Sequence, residues 1–282
     1  MAEAVIEREI SEAPQQSAAL LFYRENRGSI HAVASFVIVA VIWQVTASMA
    51  SSLIIAPLQD IWASFLKLLN FPNVFDEKSG KLWLHFQTSF RAFAIGYAMA
   101  AVVGVVLGIA IAVNDYVREF LDPLISALYS TPTIALAPLF ILIFGIDIPS
   151  KVAVVFLLVI FPIVINTATG IRTTDRVFIE AARSFCANRW QIFGKVLIPS
   201  ALPFIVAGLR LGVGRGLVAV VVGELFGARA GLGFLILTSS QVFDTASLFV
   251  GVFILAGLGI LSVVILQTIE RRMAPWREFE LK

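Results

Sequence analysis

IEAARSFCANRWQIFGKVLIPSALP runs from Ile179 to Pro203. It carries Glu180, Arg183, Arg189 and Lys195, yet long apolar runs flank it on both sides. Its spacing predicts two short helices. Thr174 or Asp175 caps the first, which runs through RVFIEAARSF. Asn188 and Gln191 stand three apart and form a capping box for the second, RWQIFGKVL, which sets Trp190, Phe193 and Leu197 at three-to-four spacing. Pro199 is expected to stop that helix, and Ser200 with Pro203 to open the next. Two readings of this helix–turn–helix stand side by side. In one it is a docking surface, with Ala181 and Ala182 small enough for close approach and Trp190 and Phe193 as anchors. In the other it is an amphipathic loop resting on lipid headgroups.

The rest of the chain decides where this insert lives. Of 282 residues, 59% are hydrophobic and only 14% charged, against about a quarter charged in soluble domains. Mean hydropathy is +0.91. There is too little polar surface to cover a water-soluble globule, so the chain reads as an integral membrane protein. A net charge of +2 without a basic cluster points away from nucleic acid. The single cysteine, Cys186, has no internal disulfide partner. His31 and His85 lie far apart with no ligand pattern beside them, which marks them as interfacial or tail residues rather than a metal site. Residues 1–28 are polar and of mixed charge, and the run from Ala32 lacks a cleavage pattern, so it reads as a retained anchor rather than a signal peptide.

A helix crosses the ~30 Å hydrocarbon layer in about 20 residues. Six stretches meet that length: 32–50, 92–113, 124–146, 152–171, 204–223 and 248–267. The predicted fold is therefore all-α, a six-helix membrane protein. Its segments are a tail at 1–28, a first span at 29–50, an outer loop at 51–83, a transmembrane domain at 84–268 and a tail at 269–282. The Lys/Arg bias places both ends in the cytoplasm. Arg172, Arg176, Arg183, Arg189, Lys195, Arg271 and Arg272 then fall inside, whereas only Lys67, Lys78, Lys81, Lys151 and Arg229 fall outside. Ile61, Phe65, Leu68 and Leu69 share one face of an outer surface helix over 57–70. GLGFLIL, within 224–247, is too short to span and is expected to form a re-entrant or interfacial turn.

Small residues recur every fourth position at Gly96, Ala100, Gly104 and Gly108, and again at Gly208, Gly212 and Gly216. In lipid this pattern lets helix backbones approach. Pro132, Pro138 and Pro162 fall inside the third and fourth spans and are expected to kink them. Arg210 and Arg215 fall inside the fifth, where a lipid-facing Arg costs at least about 2.5 kcal/mol. Either they line a polar path and offer charge to an anion, or they are structural, paired with a carbonyl, with Asn166 or across a dimer interface, or snorkelling to the surface. Arg91 and Glu224 are expected near the outer face, as a structural pair.

Glu180-Ala181-Ala182 followed by Ile198-Pro199-x-x-Leu202-Pro203 resembles the EAA loop of bacterial ABC-importer permeases of the binding-protein-dependent type I kind. Two departures stand out. Cys186 occupies the place of the family's Gly. Leu202-Pro203 falls two residues late if Ile198 is the motif Ile; if Val196 takes that role, Ile198-Pro199 stands for Leu-Pro. TSFRAFAIGYAMAAVVGVVLG, PTIALAPLFILIFGI and FPIVINTATGIR extend the resemblance over roughly 84–268, toward the branch importing nitrate, sulfonates, taurine and bicarbonate. The resemblance implies an inner-membrane permease whose coupling loop, residues 172–203, sits in a groove on a cytoplasmic ATPase. Glu180, Ala181, Ala182, Cys186, Asn188, Arg189, Trp190 and Phe193 are then the coupling residues. Arg215, Arg210, Asn166, Arg91 and Glu224 are candidates for the translocation path. Implied partners are two ATPase subunits carrying ATP and Mg, a second permease copy, a periplasmic or lipid-anchored binding protein, and membrane lipid.

This chain has no phosphate loop, binds no cofactor of its own on this reading, and shows no nucleophile–base pair of an enzyme. The main rival is an ion-gradient-driven secondary transporter, which normally carries intramembrane acids; none falls within the six stretches. A second alternative is a permease for a neutral heterocycle such as a pyrimidine precursor. Cys186 poses a local question. A left-handed residue with a Cβ costs roughly 1–2 kcal/mol, so the turn is expected either to be right-handed there or to shift to Asn188, which tolerates that region.

Overall fold

The computed structural model describes residues 18–50, 54–69 and 82–273. Much of the N-terminal tail, part of the outer loop with Lys78 and Lys81, and the end of the C-terminal tail lie outside the described residues. All regular structure among the described residues is helical. Contacts divide the chain into two units, Met1–Leu58 and Gln59–Lys282.

In the first unit, α1 (Ala18–Met49) contains a 20-residue apolar stretch, Ile30–Met49. The chain then folds back onto it: Trp43 Nε1 donates to the Ala56 carbonyl at 3.0 Å, and the Leu58 amide donates to Gln44 Oε1 at 3.1 Å. α2 (Leu58–Leu69), which from Gln59 belongs to the second unit, is a helix over the stretch where a short one was expected. Ile61 is buried, and Phe65 and Leu68 are half-buried, but Leu69 is exposed. It is the last residue of the helix.

The second unit is built on α3 (Leu82–Val113), α6 (Ile148–Arg172) and α9 (Ile198–Phe226). α6 is the central helix: 61% of its apolar window is buried, against 28% for α3 and 44% for the stretch ending in α9. The glycine stripes explain why. A Cβ at Gly108 of α3 would lie 2.6 Å from Thr167 Cβ, and Gly96 and Gly104 lie as tightly against Val155 and Ile163 of α6. From the other side, a Cβ at Gly208 of α9 would lie 2.9 Å from Asn166 Cβ, while Gly212 and Gly216 close on Val159. Both stripes therefore face α6, and backbone contact takes the place of side-chain filling. The pairings run parallel for α3 and α6 and antiparallel for α9. The Val113, Arg172 and Ile198 termini thus share one end, here the loop end, and Leu82, Ile148 and Phe226 share the far end.

The third expected span is not one helix. α4 (Asp115–Ser130) ends at Thr131, a short 3₁₀ turn covers Thr133–Leu136, and α5 (Ala137–Phe144) leaves at 85° to α4. Pro132 cannot extend α4, and Pro138 sits in the first turn of α5, where a missing N–H costs nothing. Pro162, by contrast, remains inside an unbroken α6. Among the described residues, five helices are long and apolar enough to cross a membrane, or six if the bent pair is one span.

Pro199 does not stop the helix before it. α7 (Arg176–Ser184) is followed by α8 (Arg189–Ile192), which passes through a π-helical segment, Phe193–Leu197, straight into α9. The Ile198 amide reaches back five residues to the Phe193 carbonyl. The extra residue in that wide turn loosens the ring just ahead of a proline that can neither donate nor tolerate a close carbonyl. α10 (Leu232–Gln241) is a ten-residue helix, too short to span, where a re-entrant or interfacial turn was expected, and α11 (Thr245–Met273) closes the fold. α9 runs on through Glu224, which therefore lies inside a membrane-length helix and not beyond it.

Candidate functional site

The docking-loop caps form as local chemistry dictates. Asp175 accepts from the Val177 amide at 2.9 Å. Asn188 and Gln191 exchange two bonds, each 2.8 Å, in a complete capping box. Between them Cys186 has φ +56°. Its amide donates to Arg183 at 2.8 Å, and the Ala187 amide donates to Ala182 at 3.1 Å. That bond pair is a Schellman closure, in which the residue in Cys186's place must be left-handed. The turn is neither right-handed nor moved to Asn188. The two closing bonds fix it at Cys186, since they end the helix at Phe185.

α7 has no buried side chain. Glu180, Ala181, Asn188 and Arg189 are exposed and Ala182 is half-buried. Trp190 is 82% exposed, as an anchor requires, but Phe193 is half-buried and turned inward. Phe193 opens the π turn, whose last residue, Leu197, packs on Ile171 and Ala201. Three other apolar side chains stand out instead: Val177, Phe178 and Phe185, the last 88% exposed. Helical spacing assigned Phe178 and Phe185 to the same helix but did not distinguish their outward face.

The five path candidates do not form one site. Arg215 is exposed on α9, donates to Tyr129 Oη of α4 at 2.8 Å, and holds its guanidinium carbon 4.7 Å from the Tyr129 ring centroid. Its partner is a phenol, not Asn166. Asn166 turns back on its own helix and donates to the Pro162 carbonyl at 2.7 Å. Arg210 pairs with Glu270 of α11 at 2.7 Å. Arg91 is exposed. It is not the partner of Glu224, which is fully buried and held by Ser89 Oγ and the Gly233 amide, each at 2.7 Å. Helical geometry separates them: Ser89 lies on the buried face of α3, and Arg91, two residues on, points away. His85 is no tail residue either, since its Nδ1 accepts from the Gly231 amide at 3.0 Å.

Tyr129 also lines a cavity of about 380 Å³ between α4 and α6. Asp122, Ser126 and Ser130 line it from α4, and Thr169 and Arg172 from α6. Arg215 thus reaches the wall of a hydroxyl-rich cavity through Tyr129, which sequence spacing did not single out. Among the described residues no group of three His, Cys, Asp or Glu is placed to hold a metal ion.

Residues 100–275 match the family described as binding-protein-dependent transport system inner membrane component. The chain belongs to this family. It is 34% identical over 245 residues to the formylaminopyrimidine transport permease protein of Halalkalibacterium halodurans, covering 86% of this chain and 94% of that one. It is 37% identical over 199 residues to a putative aliphatic sulfonates transport permease protein of Bacillus subtilis, covering 71% and 72%. The taurine transport system permease protein of Escherichia coli matches at 31% over 85% and 86%. Among solved structures, an inward-facing form of the MetNI methionine ABC transporter superposes with a TM-score of 0.58 at 20% identity, over 68% of this chain and 97% of that chain. That likeness is one of fold. As a binding-protein-dependent transport component, the chain is a multi-pass inner-membrane permease, and the resemblance of its loop to the EAA motif agrees with the family match.

Proposed function

We propose that this chain is the permease subunit of an ABC importer and forms the path for a small organic or inorganic anion of the sulfonate, taurine or nitrate class. Two copies of the chain join two cytoplasmic ATPase subunits, which bind ATP and Mg, and an external binding protein delivers the substrate. Both termini lie in the cytoplasm.

The observation that carries this reading is α7. A nine-residue helix is marginal alone in water, and this one is capped at both ends yet anchored by no buried side chain of its own. It turns Val177 and Phe178 outward, and Phe185 at its C-cap and Trp190 of α8 are exposed as well. An apolar patch on a capped, protruding helix is the geometry of a docking element. The anionic substrate rests on Arg215, an exposed guanidinium roughly 26 Å along the helix from Ile198 and so far from either end of α9. The formylaminopyrimidine relative favours a second reading, a neutral heterocycle.

Proteoliposomes holding the permease, its ATPases and its binding protein test both. Taurine, nitrate and formylaminopyrimidine are offered with ATP or a nonhydrolysable analogue. Uptake that persists without the ATPases would sink the importer reading. Glu180→Lys is expected to release the ATPases from an inserted permease, and normal co-purification would count against the docking role. Arg215→Gln is expected to lower anion uptake without loss of assembly; heterocycle uptake untouched by it would favour the second reading.

A further inference from the structure

The two ends of α9 hold different things. At the loop end it continues the docking loop through the π segment without a break. At the far end it carries Glu224, roughly 39 Å away along the axis, with no exposed surface. Glu224 grips the start of α10. Its Oε1 accepts from Ser89 Oγ, and its Oε2 accepts from the Gly233 amide, both at 2.7 Å. Ser89 Oγ in turn accepts from the Leu232 amide at 2.7 Å. His85 Nδ1 accepts from the Gly231 amide, and Lys151 Nζ of α6 donates to the Ala230 carbonyl at 3.2 Å.

Three consecutive amides at the start of α10 are therefore satisfied from α3 and α9. α10 has no side-chain cap of its own, because its N-cap is Gly231. That glycine has φ +140°, and a Cβ there would collide with the Glu224 carboxylate. Ser89, Lys151 and Glu224 are all buried, so water does not compete for these bonds and each would be costly to break. On its other side α10 meshes with α11, where a Cβ at Gly251 would lie 2.8 Å from Ile236 Cγ1.

We propose that Glu224 and Ser89 are positioning residues for transport. They fasten α10 to the far end of α9, so that a displacement entering α9 from the docking loop is delivered to α10, while α11 is already tied to α9 directly by the Arg210–Glu270 pair. The proposal rests on the importer reading. Without the grip, α9 still moves with nucleotide but α10 does not follow.

The test uses the permease–ATPase complex in lipid nanodiscs with Cys186 left native, and one spin label per permease copy attached through a ketone side chain rather than a thiol. One reporter is Leu211→p-acetylphenylalanine, exposed on α9; the other is Ser240→p-acetylphenylalanine, exposed on α10. Distances between the two copies are measured without nucleotide and with Mg-ATP plus vanadate. In the otherwise native complex both reporters are expected to shift. In Ser89→Ala, and separately in Glu224→Gln, the Leu211 shift is expected to persist while the Ser240 shift falls to less than half. An undiminished Ser240 shift in both variants overturns the proposal. So does loss of the assembled complex in Ser89→Ala, which would assign the cluster to folding alone. If Leu211 itself fails to respond to nucleotide in the native complex, the importer reading has failed, a result distinct from failure of the grip.

Discussion

Replacing Cys186 by glycine should tighten the docking loop. Cys186 sits at φ +56° because the Ala187-to-Ala182 and Cys186-to-Arg183 bonds close the helix there. A residue with a Cβ gives up about 1–2 kcal/mol in that region. Glycine adopts it freely but loses about 0.5–1 kcal/mol more backbone freedom on ordering. The difference leaves a net stabilisation of about 0.5–1 kcal/mol, equivalent to a two- to fivefold smaller frayed population. Hydrogen exchange of the nanodisc-embedded protein, read on peptides spanning residues 182–190, measures it directly. Amide exchange at Ala187 should slow about two- to fivefold in Cys186→Gly and quicken in Cys186→Val, whose β-branch is least tolerant of positive φ. The reasoning is refuted if the glycine variant exchanges at the parent rate or faster.

Three more expectations follow from particular contacts. Cys186 is the single cysteine and is exposed, so a membrane-impermeant maleimide should label inside-out vesicles and not intact spheroplasts; labelling of the intact cells would reverse the proposed orientation. Gly108→Ala would set a Cβ 2.6 Å from Thr167 Cβ and 2.8 Å from the Val164 carbonyl. Overpacking of that kind costs about 1–3 kcal/mol, so the variant should unfold at a lower temperature, whereas Gly257→Ala, which meets nothing within 4 Å, should cost little; equal losses would refute the backbone-contact account. Arg210→Met and Glu270→Met should each lower the unfolding temperature, and the double variant should lose less than both combined, because the two side chains share one 2.7 Å ion pair. Strict additivity would deny the pair any role.

What could be read in advance was local. Asp175, Asn188 and Gln191 act on amides two or three residues away, and such distances are visible in the chain order. The glycine stripes were equally legible, since a four-residue repeat marks a helix face whatever it meets. Glu224 was not. Its partner Ser89 lies 135 residues away, and no sequence interval distinguishes it from Arg91 beside it. Tyr129 escaped notice for the same reason, because its bond to Arg215 joins two helices 86 residues apart. The corner at Pro132 was foreseen as a kink but not as a break between two helices. Summed hydropathy reaches span length across 124–146 whether or not the chain turns, and only the proline hinted that it does.

The contacts of Gly96, Gly104 and Gly108 with Val155, Ile163 and Thr167 act like the teeth of a rack. Each α6 side chain occupies a notch in the α3 backbone, and neighbouring notches stand about one or two helical turns apart, ~6 Å and ~12 Å. A slide of α3 along α6 therefore has no resting place between one notch and the next. Graded movement has to be absorbed elsewhere, and the 85° corner between α4 and α5 is where the chain has already given up the helical ladder that would resist it.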